Sequence, residues 1–295
     1  MVKKKEKNVK RRFPVVNGIF YPDSEENLTE KLVSWGLKKG SEIVAPGGQA
    51  VIVPHGAWDI SGNIASAAFS SIQAKKEKTA SASVKPAVHG IKRVILLGPC
   101  HSYYDEGIYL SESVSFQTPF GDLPVDKEMN RQLASCSTLI RINDIPHLSE
   151  HSLEVILPMV KYCLSEISIV PVLVSGGRPV IISGLARALR IGLENYMGES
   201  LIIISSNASR NPEPAVALSM ADEFRRLLEQ WDAVTFLNRF EEGQISPCGG
   251  ALVGALMESG LLEGKGFSAL SPLVQSRGEE GETIYYGAFG CSGGG

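Results

Sequence analysis

Residues 50–62 read AVIVPHGAWDISG, and their reading decides the fold. Four apolar residues, Ala50–Val53, rise into Pro54. His55 then stands where this strand ends. Gly56 and Gly62 bracket a short loop, and Ser61 can cap the helix that begins there. Ligands of open α/β sheets bind in the crevice at the carboxyl ends of the strands, so His55 is a site candidate. The pattern recurs: another buried-strand run, Arg93–Gly98, ends in Pro99, Cys100 and His101. Two strands that each deliver a proline and then a histidine to one sheet edge describe a constructed pocket.

Outward from this stretch, strands and helices alternate over the whole length without a clear linker. The expected fold class is α/β: one domain over residues 16–291, with a central mixed, largely parallel sheet flanked by helices. Helical spacing predicts helices over about 25–38, and from Ser61 with Ile64, Ala65, Ala68, Phe69 and Ile72 as its apolar stripe. Asp126 is the expected cap of a helix to about 134. Ser149 is read as a further cap, with Glu150 in its first turn and His151 and Glu154 on one face. Later helices are expected over 179–195, 214–231 and 233–240, and a last one to about 258 is preceded by Ser246-Pro247-Cys248-Gly249-Gly250. Strands are expected at 93–97, 167–174, 201–204 and 283–289, with a strand pair or meander at 109–116. Residues 75–85 read as a polar loop, and His89 as an exposed loop histidine.

Composition narrows the classes. A 295-residue chain with 43% hydrophobic residues has an ordinary globular core. No apolar run approaches a membrane span, and the basic start lacks the apolar segment of a secretory signal, so a cytoplasmic location is expected. Residues 1–12 hold seven of the 29 Lys/Arg and one of the 32 Asp/Glu, leaving 22 basic against 31 acidic residues beyond them. A body that acidic repels nucleic acid, and residues 1–15 are read as a solvated, disordered tail. Five scattered cysteines without a CxxC pair argue against a disulfide framework or a structural zinc site. No P-loop, GxGxxG or GxSxG motif occurs, so no nucleotide cofactor and no serine hydrolase is expected.

The residues able to do chemistry are His55, His101, Glu150, His151, Asn207, Arg210 and Cys248. Histidine is both the commonest metal ligand and the commonest general base. Two or three histidines with a carboxylate suit non-haem iron, and an added thiolate suits copper or zinc. Cys248 lies before a helix whose free N–H groups would lower a thiol pKa. Each histidine also reads as a hydrogen-bonded structural residue, and Cys248 as an inert loop thiol.

At these residues the sequence resembles the Memo family, whose prokaryotic members are called AmmeMemoRadiSam system protein B. The resemblance spans about residues 17–290. It rests on Gly18–Pro22, on Val53-Pro54-His55 with Ser61-Gly62, on Leu97-Gly98-Pro99-Cys100-His101, and on Glu150-His151-Ser152-Leu153-Glu154 with Leu157-Pro158. It implies a fold similar to class III extradiol dioxygenases, a bound iron or copper ion, and redox chemistry. It also implies a radical SAM protein and an AMMECR-type protein as partners, with an unknown small molecule as ligand. Carried over, His55 and His101 match metal ligands, Cys248 matches the cleft cysteine, and Glu150 and His151 line the cleft. The family's Ser-Ser-Asp-x-x-His departs here: Asn207 stands for the aspartate and Arg210 for the histidine. Trp58 stands for a tyrosine and Cys100 for a serine.

Three readings result. In the first, His55, His101 and Cys248 hold a metal, Glu150 is an alternative third ligand, and His151 orients groups or transfers protons. In the second, the protein is metal-free and non-catalytic, and Arg210, with Asn207 and Trp58, binds an anionic ligand such as a carboxylate or phosphate. In the third, Cys248 or Cys100 is a thiol activated by a histidine.

Overall fold

The computed structural model describes residues 10–40, 50–73, 90–103, 105–164 and 166–292. The loop expected over 75–85, His89 and residues 1–9 of the basic segment lie outside the described residues. In chain order the strands are Arg11–Arg12 (β1), Ala50–Val53 (β2), Arg93–Pro99 (β3), Gly107–Leu110 (β4), Ser115–Thr118 (β5), Gly121–Pro124 (β6), Ile140–Ile142 (β7), Ser168–Ser175 (β8), Ser200–Ser205 (β9), Ser209–Asn211 (β10), Gly266–Ala269 (β11), Val274–Arg277 (β12), Thr283–Tyr286 (β13) and Phe289–Ser292 (β14). The helices are Glu25–Ser34 (α1), Trp58–Ile72 (α2), Lys127–Cys136 (α3), Ile145–Ser149 (α4), Leu157–Cys163 (α5), Pro179–Leu193 (α6), Pro214–Gln230 (α7), Ala233–Glu241 (α8) and Gly250–Ser259 (α9).

Eight strands form one sheet in the order β11-β14-β2-β9-β3-β8-β4-β7. Its centre, β2-β9-β3-β8, is parallel, and β14, β11 and β4 join antiparallel. The central strands are apolar on both faces because helices cover both. Along β2 the side chains alternate: Ala50 and Ile52 enter one core, Val51 and Val53 the other. The first core also takes Leu185, Ala221, Phe224 and Leu252, and the second takes Leu28, Phe69 and Val160. The fold is the expected single α/β domain with a mixed sheet flanked by helices.

Four local expectations are corrected. Helix α2 begins at Trp58, and Ser61 lies inside it, its hydroxyl donating back to Gly56 O at 2.7 Å. No helix starts at Ser149. Pro146 opens α4, which ends there, and Pro158 opens α5, because proline suits the first helical turn. Glu150 between them is extended (φ −80°, ψ 130°), so it and His151 lie outside both helices. The segments 109–116 and 283–289 each divide between two sheets: β4 and β14 join the large one, β5 and β13 the small ones. Finally, residues 10–15 of the expected tail are ordered. Strand β1 pairs with β5, and the buried Arg12 forms an ion pair with the buried Glu154.

Candidate functional site

The parallel centre places the site. Strands β2, β9 and β3 are neighbours whose carboxyl ends lie at one edge, with Val53 beside Ser205 and Leu97 beside Ile204. The chain leaves β2 through Pro54 to His55, β3 through Cys100 to His101, and β9 through Ser206 to Asn207. Cys248 is brought in from the turn before α9, and Glu150 and His151 from the start of the link between α4 and α5.

The three imidazoles converge. Ring centroids of His55 and His101 are 5.2 Å apart, of His55 and His151 5.7 Å, and of His101 and His151 5.1 Å. His151 is stacked between His101 and Phe20. One ligand atom from each of His55, His101 and Cys248 lies within 4.8 Å of the other two.

Hydrogen bonds fix which nitrogens face the centre. The Ser205 hydroxyl donates its one hydrogen to Ser152 O at 2.7 Å. Its oxygen can then only accept, so His55 Nδ1, at 2.6 Å, carries the proton. His55 Nε2 faces the Cys248 Sγ at 3.3 Å. The carboxylate of Glu150 does the same for His101: Oε1 accepts from Nδ1 at 3.0 Å, and Oε2 accepts the His101 backbone N–H. Ser152 N–H also donates to Oε1, at 2.9 Å. Both imidazoles are thereby held with Nε2 toward the thiol, the arrangement in which a partner on one ring nitrogen orients the other for a ligand.

Electrostatics follow from this packing. Burial opposes charge on Cys248, but the His55 field and the His101 and His55 hydrogen bonds prevail and pull its pKa down to about 5. Burial likewise works against charged His101, yet Cys248 and Glu150 raise it to about 10. Glu150 is held near 2 because the hydrogen bond and charge of His101 overcome its burial. Burial, and then the His55 charge, push His151 down to about 4. The N–H groups nearest Cys248 at the start of α9 are turned to other acceptors: Gly249 N–H donates to Ser206 Oγ and Gly250 N–H to Pro247 O. The thiol takes the Asn207 backbone N–H instead, at 2.9 Å.

The remaining sequence candidates separate. Asn207 lines the cavity, but its Oδ1 accepts the backbone N–H of His55 at 3.2 Å, so it holds the chain at the strand end. Arg210 lies on β10 at the cavity rim and is ion-paired with the buried Glu282. Its guanidinium is thereby engaged by a carboxylate rather than left as a free charge. Trp58 is buried, packs against Tyr21 and Trp35, and donates its indole N–H to Val155 O at 3.0 Å. The expectation that it contacts ligand is corrected: as the first residue of α2 it turns into the core. Cys100 sits beside His101, and burial pushes its thiol up to about 11, away from the thiolate that the third reading needs. Glu150, as the alternative third ligand, belongs with His101 and His151 to a second group whose ligand atoms lie within 4.8 Å of one another, although its oxygens already accept from His101 and Ser152.

Sequence reasoning missed Ser205, Ser152, Phe20 and Tyr286. Ser205 had a signal, a hydroxyl ending an apolar strand. Tyr286 had one in Gly56, where a Cβ would lie 2.7 Å from its Cε1. Phe20 and Tyr286 line a cavity of about 500 Å³ with His55, His101, His151 and Cys248 in its wall. A larger open depression of about 920 Å³ along α7 is lined by paired charges such as Asp222–Arg225, and by none of the site candidates.

A parallel-centred α/β sheet whose strand ends gather imidazoles, a carboxylate and a thiol defines a pocket protein with a candidate metal centre. The comparison with protein families is more particular: the model of the Memo-like protein family matches residues 12–270, and the chain belongs to that family. A MEMO1 family protein of Aeropyrum pernix is 30% identical over 274 residues, 87% of this chain and 90% of that protein. Another, of Desulfurococcus amylolyticus, is 29% identical over 269 residues, 85% and 87% of the two chains. Among solved structures, an uncharacterized protein of Escherichia coli K12 aligns with a TM-score of 0.44 at 13% identity, over 67% of this chain and 85% of that one. No helix among the described residues is long and apolar enough to cross a membrane.

Proposed function

We propose that this Memo-like protein binds one transition-metal ion on His55 Nε2, His101 Nε2 and Cys248 Sγ, and uses it for redox chemistry on a small molecule in the 500 Å³ cavity. The carrying observation is the pair of Nδ1 hydrogen bonds, to Ser205 and Glu150, which leaves two Nε2 atoms and a thiolate facing each other. Two imidazoles and a thiolate form a softer donor set than the two-histidine, one-carboxylate set of non-haem iron, so copper is favoured over iron. Bound copper supplies one-electron redox chemistry. This chain's own residues supply the setting: Glu150 and Ser205 orient the ligating rings, and His151, neutral at pH 7, accepts a proton from the bound molecule. The ion pair of Arg210 with Glu282 counts against the metal-free reading, because it removes the uncompensated charge that an anion would seek.

Anaerobic loading with Cu(I) or Fe(II), followed by elemental analysis, tests the proposal. One copper per chain is expected, lost in the His55→Ala, His101→Ala double variant. Unchanged stoichiometry in that variant overturns the assignment. The partners implied by the resemblance, a radical SAM protein and an AMMECR-type protein, belong to the same proposal, and co-purification from the native host tests them.

A further inference from the structure

His101 and Cys248 also wall a second cavity, of about 240 Å³, and they are the residues it shares with the polar one. Its apolar walls are Pro99, Val174, Phe240, Ala251 and Leu252. They come from four elements. Pro99 and Val174 are register partners on β3 and β8, Ala251 and Leu252 lie in the first turn of α9, and Phe240 lies near the end of α8. The Phe240 ring lies against Gly250, where a Cβ would be 2.3 Å from Cε2, so the glycine admits the ring at the pocket. The nearby backbone is satisfied, Cys100 N–H donating to Val174 O at 2.8 Å.

We propose that this cavity is a ligand pocket for one uncharged aromatic ring, separated from the polar cavity by the His101–Cys248 pair. It is a site beyond the metal reading and does not depend on it. A buried water needs two to four polar partners, and these walls supply few. An apolar cavity of about 150 Å³ is enough to hold benzene, so this volume takes a ring with one or two small substituents. Phe240 offers an edge or face for the ring, and the sulfurs of Cys100 and Cys248 offer soft, polarizable contacts. An ion would lose its hydration against Pro99, Val174, Phe240, Ala251 and Leu252, with His101 and Cys248 on one side alone to compensate.

Benzene titrated into the metal-free protein, followed by NMR, is the test. Saturable shifts are expected at the Val174, Ala251 and Leu252 methyls and the Phe240 ring. The Ala251→Leu variant fills the pocket, and binding is expected to weaken about tenfold or more, with copper stoichiometry unchanged. No shifts at benzene saturation, shifts confined to other residues, or equal affinity in Ala251→Leu overturn the proposal. A wild-type crystal under xenon pressure needs no variant: xenon beside Leu252 supports the pocket, and xenon absent from it overturns it. Copper stoichiometry is measured separately, so failure of the metal reading and failure of this one are distinguishable.

Discussion

Two oxygen atoms decide whether the strand-end histidines can act as ligands. Ser205 Oγ and Glu150 Oε1 each hold an Nδ1–H, and each turns an Nε2 toward Cys248. Ser205→Ala and Glu150→Ala leave all three ligand atoms in place but remove the acceptors that hold the rings, so copper affinity should fall about 10- to 100-fold by competition with a chelator. Loss below twofold in both variants would detach these partners from metal binding. Cys248 gives a pH prediction for the metal-free protein. Its pKa lies below the usual thiol value, so the reactive thiolate is present above about pH 5 and is lost as pH falls through it. Iodoacetamide should alkylate Cys248 at a rate flat from pH 7 to 9 that declines toward pH 5. In His101→Ala the midpoint should move up toward that of an ordinary thiol. His55, His101 and Cys248 were legible because proline or glycine beside a reactive side chain marks a strand or helix end. Ser205 was only faintly so: a hydroxyl ending an apolar strand marks a position, but its role shows only when its partner His55 is seen. Trp58 misled because nearness to His55 in sequence says nothing about which way the first turn of a helix points.

Between residue and fold, the N-terminal strand acts as a strap on the site. Arg12 Nη2 donates to Glu150 O at 2.8 Å and Nε to His147 O at 3.0 Å, while Nη1 meets the Glu154 carboxylate. Glu154 also accepts from the Val15 and Val16 N–H groups and from the Tyr21 hydroxyl. Breaking a buried ion pair by removing one member leaves the other charged and unpaired, which costs about 3–5 kcal/mol. Arg12→Ala should lower the denaturant midpoint accordingly and also weaken copper binding, because the Glu150 backbone loses an anchor. A stability loss with unchanged copper affinity would confine Arg12 to the fold alone. Arg12 was invisible as a core residue because it ends a run of seven basic residues in twelve. A charge run reads as a solvated face, and burial of its last member depends on Glu154, 142 positions away. The mistaken helix start at Ser149 has the same origin: a good local cap was outweighed by two prolines that begin helices elsewhere.

For the whole molecule, the periodicity of apolar runs was enough to give an α/β class, since strands buried on both faces need helices above and below. Strand order was not available in the same way. That β9 lies between β2 and β3 brings Asn207 and Ser205 beside the two histidines, and it is set by packing over more than 100 residues of separation. This long-range origin makes the centre a probe of the fold. The proposed ligands follow β2 and β3 and precede α9, so a metal that binds all three would stabilise the native chain over the unfolded one. At free copper 100 times the dissociation constant the gain is about 2.7 kcal/mol. At about 2–4 °C per kcal/mol for a chain of this size class, the midpoint of thermal unfolding should rise about 5–10 °C. The rise should vanish in the His55→Ala, His101→Ala variant and persist in Arg210→Ala, since the Arg210 guanidinium pairs with Glu282 at the rim. An equal rise in the double-histidine variant would place the stabilising metal elsewhere on the chain. A rise lost in Arg210→Ala but kept in the double variant would move the site from the sheet edge to the β10–β13 rim.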